Sequence, residues 1–183
     1  MNLGGPTYNA TYLTKFLAPK FETKLVVGSI NTTEGSSHHI AEELGVEPCF
    51  LPEMQRAISP VQDRKAYKKI KNLIRDFKPD IVHTHAAKSG ALGRLAASSL
   101  KVPVILHTFH GHVFHSYFNS IKTKAFIRIE RHLAQKSNKI IAISPLQKKE
   151  LCEDFKICKP NKIEIIRCIT YAFIGCLFRE HDS

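Results

Sequence analysis

The run His107-Thr108-Phe109-His110-Gly111-His112-Val113-Phe114-His115 puts four imidazoles within nine residues. A neutral imidazole carries one N–H donor and one bare nitrogen. Such a run can therefore hydrogen-bond a sugar hydroxyl or a phosphate, move a proton near neutral pH, or hold a metal. His83 and His85 lie two residues apart, which on a strand places both on one face, and with His110, His112 and His115 they could form a metal cluster. Neither loop offers an Asp or Glu to complete a carboxylate-containing set, and contacts to hydroxyl or phosphate oxygens need no metal. Core histidines satisfied by backbone carbonyls are the plain structural alternative.

Two glycine-bearing segments could address an anion. Gly4-Gly5-Pro6 stands directly before an apolar periodic stretch, where backbone N–H groups could approach a phosphate at the positive end of a helix. A simple turn into the helix accounts for the same residues. In Ala86-Ala87-Lys88-Ser89-Gly90-Ala91-Leu92-Gly93-Arg94, Lys88 and Arg94 can face an anion while Gly90 and Gly93 permit close helix packing. Against this stands a tightly packed helix with solvated charges. Glu130-Arg131 allows a partly buried ion pair or a solvated face, and the solvated face is the preferred reading.

These residues need a scaffold, and apolar spacing supplies one. Residues 7–17 read as a helix, 24–29 as a buried strand, 38–44 as a helix stopped at Gly45, and 48–51 as a strand. Next comes the clearest element: Ser59 as cap, Pro60 at the first helical position, Gln62 completing a capping box, and a stripe of Ala66, Tyr67, Ile70, Leu73, Ile74 and Phe77. Strand 81–85, helix 89–100, strand 104–108, helix 121–135 and strand 139–143 follow. Ser144-Pro145-Leu146-Gln147 repeats the helix-start signal for a helix to about residue 154, before a strand at 162–166. Alternating strands and helices predict an open, mainly parallel Rossmann-like sheet with helices on both faces. Ligands of such α/β sheets bind beyond the carboxyl ends of the strands, where the histidines and glycines fall.

Composition bounds the function. The chain has 183 residues, 43% hydrophobic and 23% charged, which is one domain's worth of globular protein. Its longest apolar run, within 168–178, is short of the roughly 20 residues of a membrane helix, and the first residues lack a secretory pattern. A cytoplasmic protein is expected. Its five cysteines form no C-x-x-C pair and suit reduced thiols. A net charge of +11, with the basic series Arg64, Lys65, Lys68, Lys69, Lys71, Arg75 and Lys78, raises nucleic acid or anionic lipid as partner. Among these basic residues the one interleaved aromatic is Tyr67, which argues against nucleic acid, and a solvated helix face is the default.

Four stretches together resemble the N-terminal domain of a family-4 glycosyltransferase of the GT-B fold. They are Asn2 to Pro6, Lys78 to His85 with Lys88 to Ala97 behind it, His107 to Phe118, and Glu130-Arg131 through Ile140 to Ser144. The resemblance covers about residues 2–166 and points to bacterial enzymes that build polysaccharides on lipid-linked acceptors. It implies a hexosyl-type transfer from a nucleotide-sugar donor to a lipid-linked or saccharide acceptor, retaining and without cofactor or metal. Gly4 and Gly5 would lie against the donor diphosphate and His110 would be the catalytic histidine that contacts the transferred sugar. His85, Lys88, Arg94 and His112 would line the acceptor side. The protein would work in the cytoplasm, peripherally at the inner face of the membrane.

The resemblance divides the chain into an acceptor-side domain, 1–166, and an atypical tail, 167–183, in place of a donor-binding second domain. The tail reads as a shifted frame or early stop. The glycine loop should follow a strand, yet three residues precede Gly4, so the first strand is expected to be missing. An open central slot with unpaired backbone groups would follow, each costing on the order of 1–3 kcal/mol, with marginal stability or aggregation. The chain alone is then expected to be weakly active or inactive. A non-enzymatic anion-binding module and a metal-dependent hydrolase are the competing classes.

Overall fold

The computed structural model describes residues 5–18, 20–28, 38–111, 120–166 and 175–180. In chain order the elements are α1 (Gly5–Leu17), β1 (Phe21–Gly28), α2 (His38–Glu43), β2 (Cys49–Leu51), α3 (Pro60–Phe77), β3 (Ile81–His85) and α4 (Ala87–Ser99). They continue with β4 (Val104–Phe109), α5 (Ser120–Lys136), β5 (Lys139–Ala142), α6 (Pro145–Lys149), β6 (Ile163–Ile165) and β7 (Gly175–Glu180).

Local chemistry sets most of these limits. Pro60 opens α3 after an extended Ser59, and Lys78 ends it in the left-handed region at φ 50° just before Pro79. The expected capping box is corrected in one detail. Ser59 makes no side-chain cap bond, and the Asp63 carboxylate, rather than Gln62, accepts from the Ser59 amide at 3.1 Å. At α6 the box forms on its forward side: Ser144 Oγ accepts from the Gln147 amide at 3.1 Å. Beyond α6 the chain widens into a π-helical turn over Glu150–Asp154, closed by the Phe155 amide on the Glu150 carbonyl at 2.9 Å.

The strands form one seven-stranded sheet in the order β2-β1-β7-β3-β4-β5-β6. The pairs β1/β2, β3/β4, β4/β5 and β5/β6 are parallel. β7 runs against both neighbours, from Phe21 opposite Glu180 to Val26 opposite Gly175, and with Ile81, Val82 and His83 opposite Phe178, Leu177 and Cys176. The expectation of an open slot with unpaired backbone is thereby overturned. Residues 175–180 occupy the place between β1 and β3, because an antiparallel strand meets exposed N–H and C=O groups as well as a parallel one does. This pairing also explains why β1 begins at Phe21, ahead of the expected Lys24.

Strand alternation sorts the layers. Leu25 and Val27 pack with Ala10 of α1. Val26 points the other way and joins Val82, Ile105, Ile74 and Phe77 of α3, and Ala96 and Ala97 of α4. Phe109, on the same face as Ile105, packs with Ile140, Ala142, Ile163 and Ala134 of α5. Helices thus cover both faces, α1 on one and α3, α4 and α5 on the other. The winding reverses between β1 and β3, and the carboxyl ends of β3 and β4 stand next to that switch point.

Candidate functional site

β3 and β4 pair in register from Ile81 opposite Val104 to His85 opposite Thr108, so their polar residues meet at the carboxyl rim. His83, His85 and Thr108 share the face covered by α1. His83 Nε2 lies 2.7 Å from Thr108 Oγ1, and the His83 and His85 rings are 4.3 Å apart. His110, just past β4, brings its Nε2 to 2.8 Å from His85 Nδ1. On the opposite face Thr84 Oγ1 donates to the Leu106 carbonyl at 3.1 Å and lies 2.9 Å from His107 Nδ1. With the hydroxyl proton used on Leu106, His107 Nδ1 must donate to Thr84.

Burial keeps these imidazoles neutral. Desolvation pushes His83 down to about 3, with His110 adding to it, and pushes His110 down to about 4. His85 and His107 are held well below the usual histidine range, first by burial and then by neighbouring imidazoles and, for His107, by Arg94. His85 is fully buried, and its Nε2 has no hydrogen-bond partner among the described residues. Near neutral pH the rim therefore offers hydrogen-bonding nitrogens rather than positive charge.

Backbone geometry holds the rim in place. Ala86, between β3 and α4, takes φ 56° and ψ 165°, a strained conformation for a residue with a Cβ. Gly111 follows His110 at φ 126°, which favours glycine, and its carbonyl accepts from Gln147 Nε2 at 2.8 Å. The same Gln147 side chain accepts from the Ile143 amide at 2.8 Å, so the start of α6 is tied to the loop after β4. Gly90 and Gly93 do permit close packing. A Cβ at Gly90 would stand 2.5 Å from His107 Cε1, and one at Gly93 would stand 2.8 Å from Thr84 Cγ2.

The residues expected from sequence fall into distinct places. His85 and His110 are brought together. Lys88 sits at the start of α4, bonded to the Asp63 carboxylate and to the Ala57 carbonyl. Arg94 does not face outward: it is 0% exposed, its Nε donates to the Gly90 carbonyl at 2.9 Å, and its Nη2 donates to both Glu130 oxygens at 3.0 and 2.9 Å. Glu130, 1% exposed, is correspondingly no solvated residue, and its partner is Arg94 rather than its neighbour Arg131. Burial raises the Glu130 carboxyl and lowers the Arg94 guanidinium, while the attraction between them opposes both shifts. Gly5 is the first residue of α1; Gly4, His112 and His115 lie outside the described residues.

Thr84, Thr108 and Gln147 were not singled out as site residues from sequence. The alternation of β3 and β4 could have paired the threonines with the histidines. The capping box located Gln147 but not its second bond. Among the described residues no three His, Cys, Asp or Glu side chains gather as a metal-binding group. A shallow groove lined by Lys148, Cys152, Glu153, Pro160 and Ile165 lies against α6 and β6 and contains no histidine.

Comparison with known proteins agrees with this architecture. The chain is 34% identical over 121 residues to the UDP-Gal:alpha-D-GlcNAc-diphosphoundecaprenol alpha-1,3-galactosyltransferase of Escherichia coli, covering 66% of this chain and 31% of that protein. It is 29% identical over 134 residues to the UDP-N-acetylglucosamine–N-acetylmuramyl-(pentapeptide) pyrophosphoryl-undecaprenol N-acetylglucosamine transferase of Lactococcus lactis subsp. cremoris strain MG1363, covering 69% and 37%. The chain thus spans about a third of the length of these relatives. Among solved structures, a UDP-N-acetylglucosamine 2-epimerase superposes with a TM-score of 0.63 at 16% identity, over 88% of this chain and 45% of the other. The Acinetobacter baumannii MurG superposes with a TM-score of 0.53 at 11% identity, over 86% and 40%. These two likenesses speak for the fold, half of a GT-B architecture. The family model for Glycosyltransferase Family 4 matches residues 4–169, the span that carries the whole histidine rim, and the chain belongs to that family.

Proposed function

We propose that this chain forms the acceptor-side half of a glycosyltransferase that moves a hexose from a nucleotide-sugar to a lipid-linked saccharide, with retention and without a metal. The observation that carries the reading is the neutral His85–His110 pair at the carboxyl ends of β3 and β4, beside the sheet's switch point. Neutral imidazoles suit sugar hydroxyls and phosphate oxygens, which need directed hydrogen bonds. His110 contacts the transferred sugar, Gly4 and Gly5 approach the donor diphosphate, and Lys88 and His112 line the acceptor side. Arg94 serves the acceptor side through the position it gives α4, since its guanidinium is internal. The two relatives, named as transferases acting on diphospho- and pyrophosphoryl-undecaprenol saccharides, support a lipid diphosphate acceptor.

Sugar transfer develops charge on the leaving diphosphate, which needs cationic or N–H stabilisation. Lys88 is engaged with Asp63 on the acceptor side, and the leaving diphosphate takes its charge stabilisation from the second half of a GT-B enzyme, so this half by itself binds the donor weakly. The test is binding by the purified chain. A diphosphate-lipid-linked N-acetylglucosamine in nanodiscs should bind, and calorimetry with UDP- and GDP-sugars should show weak or no heat. Tight nucleotide-sugar binding without acceptor binding would reverse the assignment.

A second reading, an anion-binding module at a membrane surface, has its own observation. Arg64, Lys65, Lys68 and Arg75 on α3 are exposed, and Ile58 and Val61, which flank the start of the same helix, are 87% and 66% exposed. Basic residues near an anionic leaflet contribute about 1 kcal/mol each, and exposed aliphatic groups add to that. Among the described residues no helix is long and apolar enough to cross a membrane. Sedimentation with anionic vesicles against salt-dependent DNA retention separates lipid from nucleic acid. Membrane contact is compatible with the enzyme reading, whereas DNA retention is not.

A further inference from the structure

We propose that His85 is a positioning residue that fixes His110 as a hydrogen-bond donor at Nδ1 and prevents it from acting as a base. The argument counts protons on a fixed geometry. His85 Nδ1 and His110 Nε2 are 2.8 Å apart, so one of these nitrogens carries the proton they share. If His110 Nε2–H donates, the single proton of neutral His85 must sit on Nε2. That nitrogen is buried and has no hydrogen-bond partner among the described residues, so the arrangement strands an N–H in the core. If His85 Nδ1–H donates instead, its Nε2 is a bare nitrogen. A bare buried acceptor is the less costly of the two defects, because orphaned buried N–H groups are the rarer kind in folded proteins.

The second arrangement decides the state of His110. Its Nε2 lone pair is taken by His85, so its own proton is on Nδ1. His110 is half-buried where His85 is fully buried, and its Nδ1 has no partner among the described residues. A neutral imidazole held this way has one N–H to offer a ligand and no free lone pair. It can bond the oxygen of a sugar hydroxyl or a phosphate, and it cannot remove a proton from an acceptor hydroxyl. His83 does not compete for the shared proton, because its Nε2 is bonded to Thr108 Oγ1 at 2.7 Å. The inference rests on the proposed sugar-binding role only for the identity of the oxygen that His110 meets.

The test is long-range 1H–15N correlation NMR of the histidine rings in the whole chain without ligand, at pH 7. The expected pattern is His110 protonated at Nδ1 with Nε2 bare, and His85 likewise protonated at Nδ1. Substitution of His85→Leu should release His110 to sample both tautomers. A wild-type His110 protonated at Nε2, or charged at pH 7, overturns the proposal, as does an unchanged tautomer in the Leu variant. If that variant fails to fold, the wild-type spectrum still decides. The spectrum is recorded without ligand, so a wrong tautomer would leave the acceptor-binding test standing, and failed acceptor binding would leave the tautomer standing.

Discussion

The two faces of the β3–β4 pair bury their polar groups in opposite ways. On the face toward α1, His83, His85 and His110 are neutral and bond to one another or to a threonine hydroxyl. On the face toward α4 and α5, Arg94 and Glu130 are buried as an ion pair, with one guanidinium nitrogen reaching both carboxylate oxygens. A neutral imidazole pair shares one proton and can add a ligand oxygen at its outer N–H without gaining or losing charge. An ion pair has no such freedom, because removing either member strands a charge. The difference separates the proposed site from scaffold: the histidine face has the chemistry to answer to a ligand, and the ion pair holds two helices at a fixed spacing.

Acid should break the comparison most strongly. His83 and His110 have folded values pushed down to about 3 and 4, and His85 and His107 are well below the usual range, whereas in the unfolded chain all four titrate near 6.5. The unfolded state therefore binds more protons below that value. Their contribution to stability is fully present above about pH 6.5 and falls as pH drops toward 4, by up to about 1.4 kcal/mol per pH unit for each histidine. Thermal melts from pH 8 to 4.5 should show a flat region and then a steep fall beginning near 6.5. A melting temperature level down to pH 5 would mean that the rim is not buried as described.

Next in size is Glu130→Leu. It leaves the Arg94 guanidinium without its counter-charge in a site with no exposure, and should cost about 3–5 kcal/mol in chemical denaturation. The double variant Arg94→Met with Glu130→Leu should recover most of that loss, since an apolar pair of similar volume avoids the buried charge. No recovery would show that the pair does more than space α4 from α5. Gly90→Ala should cost about 1–3 kcal/mol, because the new methyl meets His107 Cε1 at 2.5 Å and the ring is held by Thr84. The same substitution should shift the His107 ring resonances while leaving His110 nearly unmoved.

How much of this was legible in the sequence depends on how local each interaction is. β3 was read residue for residue, because Lys78-Pro79-Asp80 stops the preceding helix and the next five residues end in a turn. Gly90 and Gly93 were read correctly as contact points, since one helical turn separates them on one face. The Arg94–Glu130 pair was missed because its partners are 36 residues apart and both types are ordinarily solvated. β7 was missed for a related reason. Residues 175–180 show no alternation, and their place is set by two strands far away in the chain. The histidine cluster was half legible. Strand alternation placed His83 with His85, but the bond from His85 to His110 depends on how the chain turns after β4.

The smallest expected effect tests that turn. Gln147 bonds two places at once, giving its amide N–H to the Gly111 carbonyl and accepting from the Ile143 amide. Gln147→Leu removes both bonds and should cost about 1 kcal/mol, which is a fold effect and says little about the site. Gln147→Glu separates the two: a carboxylate still accepts from Ile143 and its backbone still meets Ser144, but it has no proton for Gly111. Gly111 is held at φ 126° next to His110, so loss of that one bond should loosen the loop while the start of α6 stays intact. The expected readout is faster amide hydrogen exchange at Gly111 and broadened His110 ring resonances, with a melting temperature within a few degrees of wild type. Unchanged exchange would assign the loop's geometry to the His85–His110 bond alone. A change confined to α6 would show that Gln147 serves only as a helix cap.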